Sequence, residues 1–387
     1  MAERILTSKD KRAFRAIGLM SGTSLDGIDV ALIETDGENR VKRGPARTYE
    51  YEHAMRLRLE EALEFGKTLT DRSARMEALS AIELALTDRH AEVVRRFASE
   101  IGMEIGEIDV VGFHGQTVLH RPEKALTVQI GDGKRLSETL GRPVVWDMRA
   151  RDMEIGGQGA PLVPAYHRAL AANLPPELDA RPVAFVNIGG ISNITYIDGG
   201  AEPIAFDCGP GNALIDQWLQ REAGVPYDQN GRIASEGGVI DDLAQRYLSS
   251  GFFLKRTPKS LDRFDFPVPM TEDGELSDVA RTLCYVTAEA IARSRDHLPE
   301  APKLWVIAGG GRRHPFIMSY LTEAVGEEAD VILAEDCGFD GDAMEAEAWA
   351  YLAVRGLKGL PFTFPTTTGC REATSGGVIS EPERRGD

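Results

Sequence analysis

Three short runs carry the residue types from which a phosphate site is built. The first is Gly22-Thr23-Ser24-Leu25-Asp26-Gly27-Ile28-Asp29. Its glycines free backbone amides, and with two hydroxyls these nest phosphate oxygens. Asp26 and Asp29 are carboxylates of the kind that hold magnesium directly or through water. An Asp-Gly pair is also common in plain hairpins. The second run, Asn187-Ile188-Gly189-Gly190-Ile191-Ser192-Asn193, is a similar polar turn in the other half of the chain. The third, Gly309-Gly310-Gly311, follows an apolar stretch. There the missing side chains allow an adenine or ribose to approach the backbone closely. No GxxxxGK[ST] run occurs, and no GxGxxG follows a strand in a βαβ setting. A nucleotide would therefore be held by the ordered set of three turns.

Other groups suit acid–base work and sugar binding. Asp207-Cys208-Gly209-Pro210-Gly211-Asn212 places a carboxylate just before a glycine turn and a helix. That placement suits a general base in a cleft. It equally suits an Asp that only accepts hydrogen bonds where a helix begins. Gly209, Gly211 and Asn212 then fall into the substrate-binding set. Trp146-Asp147-Met148-Arg149-Ala150-Arg151-Asp152 precedes a Gly156-Gly157-Gln158-Gly159 loop. Arg149 and Asp152 there can serve a polar sugar and a lactyl-type carboxylate, or form part of a solvated ion-pair run. His114, Gln116 and Thr117, with His120 nearby, follow an apolar stretch and suit a turn that hydrogen-bonds substrate or a structural loop. Two histidines without carboxylates at ligand spacing do not make a metal site.

These runs need elements to position them. Phe14–Met20 and Ile28–Ile33 are apolar strands flanking the first turn. Val183–Ile188 and Ile194–Ile197 flank the second in the same way. Downstream of each pair comes helical sequence and then a strand with a glycine turn, Ile108–Phe113 and Leu304–Ala308. Two similar α/β halves follow from this repetition. Helical spacing runs over Ala74–Glu100, Leu276–Arg293 and Gly341–Arg355, with Ser277 and Asp342 as candidate caps. The connector Ala171–Arg181 marks the boundary. The reading is an N-terminal α/β domain over residues 1–175 with the first phosphate loop. A C-terminal α/β domain over 176–387 carries the second loop and the nucleotide-base turn.

Composition narrows the function class. The 387 residues carry 44 basic against 61 acidic side chains, a formal charge of −17. Such a surface repels nucleic acid and anionic membranes. The four cysteines, Cys208, Cys284, Cys337 and Cys370, are scattered without a CxxC pair, which fits a reducing compartment. The charged N-terminus has no apolar core of a signal peptide, so a cytoplasmic enzyme is expected.

With these residues in view, the chain resembles the anhydro-N-acetylmuramic acid kinases of bacterial peptidoglycan recycling. The motifs that carry the resemblance are GLMSGTSLDGID, GFHGQTV, TVQIGDG, DMRARD with GGQGAPLVPAYH, VNIGGISNIT, DCGPGN, AGGGRRHP and GFDGDAMEAEAWAYLA. They run from Ile17 to about Ile379. The resemblance implies an actin-like ATPase fold, two ribonuclease H-like α/β domains flanking a nucleotide cleft. It implies ATP and Mg2+, a homodimer, and an unusual reaction. Water opens the 1,6-anhydro ring and the freed 6-hydroxyl is phosphorylated. By position, Gly22–Asp29 matches the family's ATP-phosphate loop and Asp207 its catalytic base. The turns at Asn187, Gly189, Gly190 and Gly309–Gly311 fall to the nucleotide, with the first two runs expected to face one another. Cys208 stands where the family usually has Thr, His314 where Asn often follows the glycine turn, and Trp146 where a small residue is usual. Competing readings are another sugar or polyol kinase or phosphatase of this fold, and a non-catalytic ATPase module.

Overall fold

A computed structural model describes residues 12–22, 25–261 and 265–383. Its strands are β1 (Phe14–Ser21), β2 (Gly27–Thr35), β3 (Val41–Glu50), β4 (Val110–Arg121), β5 (Leu126–Ile130) and β6 (Val144–Trp146), then β7 (Val183–Ile188), β8 (Ile191–Ile197), β9 (Ile204–Pro210), β10 (Leu304–Ala308), β11 (Asp330–Leu333) and β12 (Val378–Ser380). They form two sheets. One has the order β12-β6-β4-β1-β2-β3, with β5 paired to β4; the other has the order β11-β10-β7-β8-β9.

Within each sheet the second strand of the series is antiparallel to its neighbours. β2 runs against β1 and β3, and β8 runs against β7 and β9. The crossover strands are parallel: β4 to β1, β6 to β4, β10 to β7 and β11 to β10. Both sheets thus share the ribonuclease H-like order, and the expected duplication is present. Parallel pairs need covering helices on their faces, which explains the near-continuous apolar runs of β7 and β10.

The chain divides into two compact units, Met1–Asn173 with Ala343–Asp387, and Leu174–Asp342. The first crossing lies two residues from the expected boundary at 175/176. The expected second domain over 176–387 needs correction, because residues 343–387 return to the first unit. The cause lies in the sheet. Gly18 of β1 and Gly112 of β4 are register partners. A Cβ on Gly18 would lie 1.8 Å from the Ala346 carbonyl oxygen, and one on Gly112 would lie 2.1 Å from that of Trp349. Paired glycines give the helix Met344–Leu357 a seat directly on the strands. β12 then adds to the edge of the same sheet beside β6.

The helices match their apolar spacing closely. Glu77–Glu100 buries Leu79, Ile82, Leu86, Val93, Val94 and Phe97 in the first core. Leu276–Ala292 buries Val279, Leu283, Val286 and Ile291 in the second. The caps differ from expectation. Glu275, rather than Ser277, precedes the latter helix. Asp342 lies outside the helix it was expected to cap and instead accepts from Arg312 Nη1 at 3.0 Å. An ion pair to a buried arginine outcompetes a cap that a tertiary-packed helix does not require.

Candidate functional site

In the first unit, the β1–β2 turn is fixed from beneath. Ser21 is fully buried, and its hydroxyl lies 2.7 Å from both Tyr51 Oη and Gln116 Oε1. Gln116 Nε2 donates to Gly22 O at 3.1 Å, and His114 Nδ1 donates to Ser21 O at 3.1 Å. Both side chains come from β4, which runs through His114-Gly-Gln116-Thr117 as one strand where a turn was expected. Gly115 allows this with φ +67, its open side facing the Ile130 carbonyl. His114 and Gln116 thus brace the loop backbone. Thr117 Oγ1 lies 3.5 Å from His114 Nε2.

At the turn itself Leu25 takes φ +56. Asp26 is exposed and Asp29 is half-buried, with Asp29 Oδ1 accepting from Thr48 Oγ1 at 2.6 Å. Gly27 and Ile28 are buried at the start of β2. Thr23 and Ser24, both expected to touch phosphate, lie outside the described residues. No group of three metal-ligating side chains occurs among the described residues. Two carboxylates nonetheless fit magnesium, which usually takes one or two together with water and phosphate oxygens.

Arg149 is the cation of this unit's site. Its Nη1 donates to Gly159 O at 2.8 Å, and its Nη2 donates to His114 Nε2 at 3.3 Å. The guanidinium lies 5.5 Å from the Trp349 ring centre. Its Nε is buried with no partner. Burial pulls its pKa down to about 10, against the field of Glu345 and Asp152. Burial likewise drops His114 to about 3, with Arg149 adding to the effect, so His114 is neutral. One orphaned donor on a buried arginine is what an anionic or hydroxyl-rich ligand would satisfy. Asp152 has a different position from the one expected. Its Oδ2 accepts from the Gly159 amide and its Oδ1 from Thr368 Oγ1, both at 2.7 Å. Oδ2 ties the glycine loop down and Oδ1 joins it to Thr368.

Spacing alone missed Glu345. It lies in the first turn of the helix seated on Gly18 and Gly112. Its side chain is exposed; desolvation by the protein mass around it raises its pKa, Arg149 lowers it, and Asp29 raises it again. It therefore stands within the electrostatic reach of both the arginine and the expected metal ligand. In the sequence it reads only as a favourable helix start.

In the second unit the glycine runs meet. A Cβ on Gly211 would lie 2.2 Å from Gly189 O, and one on Gly309 would lie 2.3 Å from Asn187 Oδ1. One on Gly311 would lie 2.2 Å from Ile188 Cγ2, and one on Gly310 would lie 3.6 Å from Asn212 Nδ2. The Asn212 amide donates to Gly189 O at 2.7 Å and the Gly211 amide to Gly190 O at 3.0 Å. The turn after β7, the end of β9 and the end of β10 are thereby knit into one backbone surface, with Gly190 and Gly310 exposed. Ser192 Oγ donates to Gly209 O at 3.1 Å.

Asp207 belongs to β9 just before this knot. Its neighbours Phe206 and Cys208 point into the core, so alternation sends Asp207 the other way. The Leu261 amide donates to its Oδ2 at 2.8 Å. Oδ1 has no donor among the described residues. Burial pushes the pKa up to about 6, opposed by the Leu261 amide and the charge of Lys259. A carboxylate with one free oxygen and a pKa near neutrality can take a proton from water. Asp216, one helical turn beyond Asn212, is a second missed carboxylate. Burial alone raises it to about 6. The departures are also placed. Cys208 is buried beneath β9, and His314 turns inward to lie 3.3 Å from Asp228 Oδ2. Trp146 closes over Gly133 and donates to Ser380 Oγ at 3.0 Å.

Comparison with known proteins follows this geometry. Residues 14–382 match the family model described as anhydro-N-acetylmuramic acid kinase. The chain is 53% identical over 365 residues to a protein of that name from Agrobacterium fabrum, covering 94% of this chain and 98% of that one. It is 54% identical over 369 residues to the one from Brucella canis, covering 95% and 99%. Among solved structures it is similar to the activator of 2-hydroxyisocaproyl-CoA dehydratase from Clostridium difficile, at 10% identity and TM-score 0.44, covering 89% of this chain and 96% of that one.

Proposed function

The chain belongs to the anhydro-N-acetylmuramic acid kinase family, and from that premise we propose how its residues divide the work. The reaction consumes 1,6-anhydro-N-acetylmuramic acid, water and ATP, and yields N-acetylmuramic acid 6-phosphate and ADP. Asp207 is the base. It takes a proton from water as the water oxygen bonds to the anomeric carbon and the bond from that carbon to O6 breaks. O6 then bonds to the γ-phosphorus of ATP, and the bridging oxygen leaves with ADP. Two observations carry this reading: Oδ1 of Asp207 has no donor among the described residues, and burial raises its pKa to about 6. A base placed in this way contributes about 10²–10⁴-fold.

Arg149, with its unsatisfied Nε, binds an anionic or hydroxyl group of the sugar, oriented by His114 and Trp349. Asp152 holds the Gly159 loop that positions Arg149. The joined backbone of Gly189, Gly190, Gly211, Asn212 and Gly309–Gly311 receives the nucleotide, its freed amides suiting phosphate. Gly22–Asp29 is the other phosphate turn. Asp26 and Asp29 would hold Mg2+, which supplies positive charge to phosphate oxygens. A cytoplasmic homodimer belongs to the same proposal. No helix among the described residues is long and apolar enough to cross a membrane.

The test is product identity. Incubation with the anhydro sugar, ATP and Mg2+ should give a sugar 6-phosphate heavier than the substrate by one water and one phosphoryl group. A phosphorylated product that keeps the anhydro ring would point instead to an ordinary sugar kinase of this fold.

A further inference from the structure

Behind the strand that carries Asp207 lies a cavity of about 510 Å³ within the second unit. Its walls include Phe206, Cys208, Leu248, Phe253, Lys259 and Ser294. That size and an apolar wall with a few polar groups are the usual features of a small-ligand site. Two of the polar groups are poorly satisfied. The Ser294 hydroxyl is buried, and beyond the weak thiol of Cys208 it has no hydrogen-bond partner. Among the described residues Lys259, itself buried, makes two long bonds to carbonyls, Phe252 O and Phe253 O at 3.4 Å each, and its Nζ lies 4.6 Å from the Phe252 ring centre. Its third neighbour is His297 Nε2 at 3.1 Å, which also lies 2.8 Å from Phe253 O. If Nε2 carries a proton, it faces an ammonium; if it does not, it faces a carbonyl oxygen. One of the two contacts is repulsive in either tautomer. Arg293 adds a second cation to the wall and Asp296 one anion. Among the described residues no carboxylate forms an ion pair with this buried ammonium, and Asp207 acts on it only through its field.

We propose that this cavity binds a small organic anion, a carboxylate or phosphate on an apolar body, and that its occupancy acts on the base through residues 259–261. The link is short. The Asp207 amide donates to Lys259 O at 2.9 Å, and the Leu261 amide holds Asp207 Oδ2. The groups around Lys259 that carry or acquire charge are Asp207 and Cys208 on β9, Lys255 on the approaching segment, and His297 after the helix Leu276–Ala292. An anion on Lys259 offsets the positive charge that favours ionised Asp207, so the base then protonates at higher pH.

The test uses the full chain with saturating ADP and Mg2+, which keeps anions off the nucleotide site. Benzoate, phenyl phosphate and uncharged benzyl alcohol are titrated by calorimetry. Saturable binding of benzoate or phenyl phosphate, about tenfold tighter than benzyl alcohol, is expected, and whichever anion binds identifies the headgroup. Lys259→Met should abolish that preference. Because this variant removes a buried group and can fail to fold, Ser249→Glu is the second probe. Ser249 is an exposed lining residue, and a carboxylate there should weaken the anion by about tenfold and leave benzyl alcohol unchanged. Equal affinity for anion and alcohol, or an anion insensitive to Ser249→Glu, overturns the site. In turnover assays without added ADP, the bound anion should move the acidic limb of kcat to higher pH. An unmoved limb with intact binding overturns the coupling. The binding experiment does not depend on Asp207 being the base, so its failure and the failure of that assignment are separable.

Discussion

At the residue scale, Asp207 differs from the other carboxylates near the glycine runs. Asp152 has both oxygens committed, and Asp147 pairs with Arg72. Asp207 lies in β9 itself, its Oδ1 has no donor among the described residues, and burial raises its pKa to about 6; Asp216, raised likewise, lies a helical turn beyond Asn212. Asp207→Asn keeps the size and still accepts from Leu261, but it cannot take a proton. Turnover should fall by about 10²–10⁴-fold, or about 3–5 kcal/mol of barrier, with sugar affinity little changed. Near-parental turnover would remove Asp207 from the proton path. The pH profile gives a second check. A base must be ionised to act, so kcat/KM should be flat above the pKa. Below about pH 6 it should fall about tenfold per unit. An acidic limb near pH 4 instead would mean an unperturbed carboxylate does the work.

At the element scale, the decisive contact is a helix lying on glycines. Gly112→Ala inserts a Cβ 2.1 Å from the Trp349 carbonyl, and neither backbone can yield cheaply. A loss of about 1–3 kcal/mol or more is expected, read as a lowered midpoint in denaturant titration with unchanged slope. A midpoint equal to the parent's would mean that the helix Met344–Leu357 does not need that seat. This contact also marks the limit of sequence reading. The strand–turn–strand pairs, the long helices and the glycine turns were legible because apolar period and Gly/Asn punctuation are local signals. Gly18 and Gly112 were not, since only their partner helix, more than 230 residues further on, shows why a side chain is excluded. For the same reason Glu345 was not legible as a site residue. Its neighbours Arg149 and Asp29 come from distant parts of the chain. β4 was expected to stop at Phe113 because His114-Gly115 reads as a turn; in the sheet Gly115 is a positive-φ residue inside a continuing strand.

At the scale of the whole molecule, the duplication gives each unit its own sheet, but the chain is not cut into two consecutive halves. The last segment, Ala343–Asp387, completes the first unit. A chain ended at Asp342 should therefore expose the sheet face around Gly18 and Gly112 and be recovered unfolded or aggregated. A soluble truncated chain with native circular dichroism would contradict that division. The family assignment makes one chemical claim above the others: ring opening and phosphorylation occur together, with one water and one ATP consumed per sugar. The most direct measurement follows anhydro sugar, ADP, sugar 6-phosphate and free N-acetylmuramic acid through one time course, with and without ATP. The account predicts equal rates of sugar loss, ADP release and 6-phosphate formation, with no ring opening when ATP is withheld. Free N-acetylmuramic acid accumulating without ATP would contradict it.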